Sequence, residues 1–420
     1  MRYSIYTLGC KVNSCDSDTI SSYLRAAGFE PAREGEEPDL AVVNTCAVTA
    51  ESVRKSRQLT RHVRTMWPGC FVAVCGCFAR MEEAKEALPE ADMLISETRA
   101  DTAGRMILEG FSGRSAEGMV PPLLGTVHET RTRASLKIQD GCNRFCTYCI
   151  IPYLRGKLWS ASPDDIIEKM NALSEEGYRE VVLTGIHIAS YSYGDMGLID
   201  VLERIDSEST VERFRLGSLE PTLMSGEFVT RLSRLRKLCP HFHLSLQSGS
   251  TSVLERMKRR YSAEDYLAFM DRIREAIPSA VFTTDIIVGF PGESEEEFSE
   301  TCAFVSGARF AHVHIFPYSR RPGTPAADMP GQLSRGEKHS RLKKLEGICA
   351  EASSEVLSSF VGKVLSALPE YVNGSGLCEG YSENYLRVGF PGGEDDINRI
   401  VRVRILTSGQ GLLTGEKLPG

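Results

Sequence analysis

The segment Cys142-Asn-Arg-Phe-Cys146-Thr-Tyr148-Cys149 puts three cysteines on one short stretch of chain. Three thiolates can hold three irons of a four-iron cluster, and the fourth iron is then left without a protein ligand, whereas ferredoxin-type clusters take four Cys. An open metal position marks catalysis rather than scaffolding. A zinc site would need a fourth ligand, and neither His128 nor Cys239 offers one at a familiar local spacing. The odd total of 13 Cys, with no secretory context, argues against a disulfide framework.

A second set is spread more widely. Cys10, Cys46 and Cys77 each follow a short apolar run: Tyr6-Thr-Leu-Gly-Cys10, Val42-Val-Asn-Thr-Cys46 and Val74-Cys-Gly-Cys77. A parallel sheet brings the carboxyl ends of its strands to one edge, so three such cysteines can converge there on a second cluster. Glycine beside Cys10 and Cys77 would let a cluster approach the backbone. The plainer alternative is Cys as a small buried residue, which suits Cys15, Cys70 and Cys75.

The elements that must carry these groups read as α/β, with two or three domains expected from 420 residues. In the first 112 residues, strand runs at Tyr3 to Leu8, Leu40 to Val43 and Phe71 to Val74 alternate with helices. One helix is expected around Thr19 to Ala27, capped by Asp16 or Ser17 and ended by Gly28. Residues 113–132 have the Gly, Pro, Ser and Thr content of a linker.

From 133 to 360, strands are expected at Ser135 to Gln139, Glu180 to Thr184, Arg213 to Leu219, His241 to Gln247, Thr283 to Val288 and His312 to Phe316. Helices such as Asp164 to Ser174 and Glu295 to Val305 separate them. Six such units predict a full or partial (βα) barrel with its site at the carboxyl ends of the strands. Glu220 and Gln247 lie at such ends, where they could contact a cofactor or only brace loops. Gly289-Phe-Pro-Gly292-Glu is either a tight turn or a place where backbone meets a cofactor. From 361 to 420, short alternating strands separated by Gly and Asn turns predict a small β-barrel.

Hydrophobic content of 42% and a net charge of -7 are ordinary for a soluble protein, and no apolar run of about 18 residues exists to span a bilayer. A reducing cytoplasm is the expected compartment. Polynucleotide contact would need a local basic patch. Arg54, Arg57, Arg61 and Arg64 supply one candidate, at i, i+3, i+7 and i+10 on one helical face; a merely solvated face is the alternative.

With these motifs in place, the chain resembles the radical S-adenosylmethionine (SAM) methylthiotransferases over essentially its whole length. The resemblance is carried by Thr7-Leu-Gly-Cys10-Lys-Val-Asn13, Val43-Asn-Thr-Cys46-Ala-Val-Thr49, Arg54-Lys-Ser-Arg57-Gln58, Gly76-Cys77, Gly141 to Pro152, Leu246-Gln-Ser-Gly249 and Val288-Gly-Phe-Pro-Gly-Glu293. It implies two 4Fe-4S clusters, one on Cys10, Cys46 and Cys77 and a SAM-binding one on Cys142, Cys146 and Cys149. It also implies a carboxyl-terminal TRAM-like module that grips RNA.

Tyr148, Glu220, Gln247 and Gly289 become the candidate SAM contacts, and no side chain is assigned as an acid or base catalyst. The opening motif and Leu183-Thr-Gly-Ile-His187 are most similar to the branch that modifies N6-threonylcarbamoyladenosine beside the tRNA anticodon. Sister branches act on isopentenyladenosine in tRNA or on a ribosomal-protein aspartate. The implied chemistry is radical abstraction of hydrogen from C2 of the adenine, followed by delivery of a methylated sulfur. A low-potential electron donor such as a flavodoxin or ferredoxin would supply the electron. A two-cluster electron-transfer protein is the rival from another class; it would explain paired Cys sets but neither an open iron nor a terminal β module. Ser14, Cys75 and the short last domain depart from the branch pattern, and none of these touches an expected ligand.

Overall fold

The structure is a computed structural model describing residues 1–113 and 132–419, so all of the expected linker except its two end residues lies outside the described residues. Those described separate into two compact units. The first gathers residues within Met1–His128, Gln139–Trp159 and Ser319–Ala327, and the second those within Glu129–Ile138, Ser160–Tyr318 and Asp328–Gly420.

The first unit is built on a parallel sheet with the spatial order Glu30–Pro31, Arg2–Thr7, Leu40–Thr45, Phe71–Gly76, Met93–Leu94. Leu40–Thr45 is buried at every position, as a central strand covered on both faces requires. Helices Lys11–Ala26 and Ala100–Ser112 close one face through Ile20, Leu24 and Ile107, which pack on Leu40 and Val42.

The first helix begins earlier than expected. It starts at Lys11 with Cys10 in the capping position, so Asp16 and Ser17 are interior residues rather than caps. Their side chains serve other parts of the fold: Asp16 accepts from Arg155 (3.0 Å), and the Ser17 hydroxyl oxygen accepts from Asn44 Nδ2 (2.9 Å). Tertiary partners thus supply what makes Asp and Ser poor in an isolated helix interior. Gly28, at φ +83°, ends it as expected.

The second unit contains the expected partial barrel. Strands Arg213–Leu216, Glu180–Gly185 and Arg133–Asp140 belong to one sheet with the short Trp159–Ser160, and His241–His243, Val281–Val288 and His312–Pro317 form another. Bridges at Phe214↔Leu238 and Leu219↔Leu244 run from the first sheet toward the second. Helices Pro163–Glu175, Ala263–Ala276 and Glu295–Ala308 are each capped by a serine, Ser162, Ser262 or Ser294, that accepts from a first-turn N–H.

The tail is a closed five-stranded barrel, ordered Val364–Val372, Leu377–Ser382, Arg387–Pro391, Leu412–Lys417, Val401–Gly409. Leu365, Val388, Phe390, Val403, Ile405 and Leu413 fill it. No helix among the described residues is long and apolar enough to cross a membrane.

Glu180 joins the partial barrel to the small one. Its carboxylate is fully buried and accepts from Arg213 Nε (2.6 Å) and Arg215 Nε (2.8 Å). The two guanidiniums donate onward to Ser366 O (2.7 Å) and Glu383 O (2.9 Å) in the small barrel. Burial alone would push the Glu180 carboxyl up, but Arg215 and Arg213 outweigh it and hold it at about 2, against an ordinary 4.5.

A carboxyl held below its unfolded value contributes stability above about pH 4.5, and that stability is lost as pH falls toward 2. Glu180→Gln should therefore cost about 3 kcal/mol in denaturant unfolding at pH 7, with the gap from wild type closing through that window. A constant gap would remove this role.

Gly76 has a backbone reason to be glycine. Its φ is +90°, and a Cβ would sit 2.4 Å from both Asn44 Oδ1 and Thr45 O. The bulk excluded here is that of the neighbouring strand, whatever lies beyond Cys77. Gly76→Ala should lower stability by roughly 3 kcal/mol, read in the same unfolding assay.

Candidate functional site

All six singled-out cysteines lie in the first unit. Cys10, Cys46 and Cys77 follow Arg2–Thr7, Leu40–Thr45 and Phe71–Gly76, three neighbouring strands of one parallel sheet, and so share one edge. Burial pushes the Cys46 thiol up, and the nearby Cys77 and Cys10 add to the effect. A Cβ on Gly9 would sit 3.1 Å from Cys46 Cβ and 3.2 Å from its Sγ, so the Cys10 turn rests against Cys46. Three soft sulfur donors at one sheet edge fit a thiophilic cation, which binds thiolates and displaces their protons.

Buried Cys75 differs, because burial pushes its thiol up to about 12, and Cys70 reaches about 11 for the same reason. Both behave as the small packed residues expected.

The Cys142 loop is set by its backbone. Gly141 has φ +76°, and a Cβ there would lie 2.2 Å from Lys157 O. The Gln139 side chain donates to the carbonyls of Asp140 (2.7 Å) and Gly141 (2.9 Å), and Cys149 N–H donates to Cys146 O (3.0 Å). Phe145, at φ +48°, packs edge-on against Tyr153, and Ala326 N–H donates to Thr147 O (2.8 Å). Cys146 is buried and Cys142 and Cys149 are half-buried, on a loop held largely by main-chain contacts.

Sequence reasoning missed what ties the two sets together. Arg155, fully buried, ends the short helix after the Cys142 loop. Its Nη1 donates to Asp140 Oδ2 (3.0 Å), just before the loop, and to Asp16 Oδ2 (3.0 Å); its Nη2 donates to Asn13 Oδ1 (2.6 Å). Asn13 Nδ2 in turn donates to Leu8 O (2.8 Å) and Thr45 O (2.9 Å), the carbonyls ahead of Cys10 and Cys46. Burial would lower the pKa of Arg155, but Cys77, Asp16 and Asp140 outweigh it and keep the guanidinium charged. Arg80 is a second, half-buried cation near Cys77; burial lowers its pKa and Arg155 adds to the shift. Nothing in local spacing signals an Arg155 whose partners are 139 and 142 positions away.

The candidate SAM contacts are divided. Tyr148 is half-buried in the first unit. In the second unit, Glu220 is buried and lies 2.7 Å from His187 Nε2, whose Nδ1 meets Ser190 Oγ. Gln247 follows His241–His243 with φ +82°, a conformation that costs a non-glycine residue roughly 1–3 kcal/mol and tends to mark functional sites. Gly289, φ +71°, donates to Glu293 Oε2 (2.7 Å), which Arg341 Nη1 also binds at 2.5 Å.

The arginine stripe lies on helix Ala50–Met66 as expected, with much of it already engaged. Arg54 pairs with Glu51, Arg61 with Glu90 and Arg64 with Asp92, and Arg64 also donates to the carbonyls of Glu90, Pro68 and Cys70. Arg57 is exposed.

Comparison with known proteins identifies the family. Residues 136–305 match the Radical SAM superfamily and residues 2–96 match the uncharacterized protein family UPF0004. The chain is 37% identical to a threonylcarbamoyladenosine tRNA methylthiotransferase of Bacillus subtilis, covering 97% of this chain and 94% of the relative. It is 33% identical to a tRNA-2-methylthio-N(6)-dimethylallyladenosine synthase of Syntrophomonas wolfei, with 99% and 97% covered. Among solved structures, a radical SAM methyltransferase from Kitasatospora setae shares the fold at TM-score 0.60 and 15% identity, over 78% of this chain and 75% of that one. With relatives of this identity spanning nearly every residue, the chain belongs to the radical SAM methylthiotransferase family.

Proposed function

We propose that the protein inserts a methylthio group at C2 of N6-threonylcarbamoyladenosine next to the tRNA anticodon. The observation that carries the two-centre reading is the joining of two cysteine triads, Cys10/Cys46/Cys77 and Cys142/Cys146/Cys149, by one buried guanidinium. The choice of nucleoside follows the first two relatives, both named as threonylcarbamoyladenosine enzymes, at 37% and 34% identity.

In this reading each triad holds a 4Fe-4S cluster. When bound, these groups supply a single electron to SAM, a carbon radical strong enough for an unactivated C–H bond, and the sulfur to be transferred. The chain's own residues position them. Arg155, through Asp140, Asp16 and Asn13, fixes the spacing between the loops that carry the triads, and its charge offsets the thiolates beside it. Gly9 gives the Cys10 turn room against Cys46.

Tyr148, Glu220, Gln247 and Gly289 are assigned to SAM, with His187 orienting the Glu220 carboxylate. Arg57 and the outward parts of Arg54, Arg61 and Arg64 are assigned to RNA phosphates, together with the closed terminal barrel. The division into 1–112, 113–132, 133–360 and 361–420, a cytoplasmic setting and a flavodoxin- or ferredoxin-like donor belong to the same proposal.

Mass spectrometry of tRNA nucleosides from a strain lacking the gene tests the substrate. The methylthio form of threonylcarbamoyladenosine should disappear and its unmethylthiolated precursor accumulate. Loss of the methylthio form of the isopentenyl nucleoside instead would move the enzyme to the sister branch.

Arg155 gives a test that does not depend on turnover. Arg155→Met removes a cation beside Cys77 and should lower the potential of the cluster on Cys10, Cys46 and Cys77 by on the order of 50 mV, about 1 kcal/mol for one electron. It also leaves two carboxylates buried without their partner, at about 3–5 kcal/mol in stability. Arg155→Lys should recover most of the potential shift. An unchanged potential in Arg155→Met, read by EPR-monitored titration, would show that Arg155 acts on geometry alone.

A further inference from the structure

The sheet of His241–His243, Val281–Val288 and His312–Pro317 carries four of the eight histidines in the chain, and none of the roles assigned above uses them. Its register pairs His243 with Thr283, Thr283 with His312 and Asp285 with His314. Because side chains alternate along a strand, these residues and His241 share one face. Phe242, Phe282, Ile286 and Val313 alternate with them and are buried on the other.

The polar face looks into the partial barrel. Tyr385 of the small barrel meets the His241 ring of this sheet at 4.8 Å, and it meets the guanidiniums of Arg133 (5.2 Å) and Arg215 (4.8 Å) from the other sheet. Side chains of both sheets thus converge on one aromatic ring near the amino ends of the strands. His243, Asp285 and His314 stand further along, and Gln247 N–H donates to Asp285 O (2.8 Å), which puts them just below the rim.

Ligand atoms of His243, Asp285 and His314 all lie within 4.8 Å of one another. His243 Nε2 is 3.0 Å from Asp285 Oδ2, and the His243 and His314 rings are 5.9 Å apart. With metal–ligand bonds of about 2.1 Å, neighbouring ligand atoms stand about 3.0 Å apart in an octahedron and about 3.4 Å in a tetrahedron. The His243 and Asp285 atoms already have the octahedral separation. His314, exposed on the edge strand, closes on the same point by turning its ring.

A hydrogen bond alone would join His243 to Asp285. A second imidazole at the same point goes beyond it, and so does the anchor behind His243. His243 Nδ1 is 3.0 Å from Thr283 Oγ1, which is also 3.0 Å from His241 Nε2. Thr283 and His241 are both buried, so the hydroxyl fixes the His243 ring and leaves Nε2 aimed at Asp285. Metal-bound imidazoles are held in this way, through the ring nitrogen that does not touch the metal.

We propose that His243, Asp285 and His314 bind one divalent ion of the borderline class, Zn²⁺ or Fe²⁺, with its remaining positions open to the barrel interior. Two imidazoles and a carboxylate are a donor set that such ions favour, whereas Mg²⁺ and Ca²⁺ take oxygen ligands. The three ligands come from three adjacent strands and occupy one side of the ion, so water or an oxygen of a bound substrate completes the other. The site is separate from the six cysteines, which lie in the first unit, and it does not depend on which nucleoside is modified.

Zn²⁺ is the probe, because it has no redox chemistry and its X-ray absorption edge is distinct from that of iron. Full-length protein reconstituted with iron and sulfide is dialysed without oxygen against low-micromolar Zn²⁺, and zinc, iron and sulfide are counted. Wild type should retain one zinc per chain with iron and sulfide unchanged, and the zinc edge should show nitrogen and oxygen neighbours at about 2.0–2.1 Å without sulfur at about 2.3 Å.

Thr283→Val keeps all three ligands and should weaken zinc binding about tenfold, while Asp285→Asn and His314→Phe should each weaken it by about 100-fold or more. His314 is exposed, so its variant should keep a native circular dichroism spectrum even if Asp285→Asn does not fold. Wild type that retains no zinc, zinc surrounded by sulfur, or a folded His314→Phe protein that binds zinc as tightly as wild type would overturn the site.

Discussion

A guanidinium with no access to water, set between two aspartates and an asparagine, fixes the geometry on which the site depends. Arg155 carries its charge into the interior, where Asp16 and Asp140 neutralise it and Asn13 takes a further N–H. Such a group adds little net stability, because desolvation of three charges offsets most of their attraction. Its effect is specificity of arrangement. A planar fork of fixed donors accepts its partners in one orientation only, so the helix behind Cys10 and the strand before Cys142 hold one relative position. Asn13 extends the constraint to the carbonyls of Leu8 and Thr45, and so to the Cys10 and Cys46 turns. The sheet aligns the Cys10, Cys46 and Cys77 turns with one another, but no shared secondary structure sets their distance to the Cys142 loop, and that is where an organiser of this kind is needed.

The second unit repeats the device with the charges exchanged. Here the central group is a carboxylate, Glu180, and the flanking groups are Arg213 and Arg215 on the adjacent strand. Their remaining N–H groups bind main-chain carbonyls of Ser366, Tyr381, Ser382 and Glu383, where two strands of the small barrel turn toward the partial one. Arg133 lies over Tyr381 and Tyr385, which stack at 4.6 Å, and adds a cation–π contact to the same joint. A TRAM-like module on a flexible tether would search for RNA independently. Locked through buried charge, the small barrel instead keeps a set orientation on the partial one.

How much of this was legible in the sequence depends on the range of the interaction that decides each feature. Strands Leu40–Thr45 and Glu180–Gly185 were readable because parallel strands covered on both faces carry near-continuous apolar runs. The strand-end positions of Cys10, Cys46 and Cys77 were readable because each follows a short apolar run. The start of the first helix was misplaced by eight residues, since Asp16 and Ser17 look like caps to any local rule and only Arg155 and Asn44 make them interior residues. Arg155 and the group formed by His243, Asp285 and His314, whose ligand atoms lie within 4.8 Å of one another, carried no signal at all. Each is one residue per element, and only strand register or a contact over more than a hundred positions brings it to its partners. The arginine stripe shows the converse: helical spacing correctly placed four guanidiniums on one face, yet their acidic partners Glu90 and Asp92 lie on another segment.

That last point bears on how a chain of net charge -7 would hold an RNA. Arg64 spends its donors on three carbonyls and a carboxylate, so a phosphate would have to displace contacts that support the fold. Arg54 and Arg61 are paired at the surface, where an ion pair is worth about 0–1 kcal/mol and a phosphate can compete. In the proposed role, charge on this face would position a backbone without binding it tightly. Phosphate contacts carry no information about which base is modified, so selectivity has to arise where a base and its substituent are enclosed. In the proposed role a weak electrostatic grip would suit an enzyme that must sample many tRNAs, because tight phosphate binding would raise affinity for every wrong tRNA by the same factor.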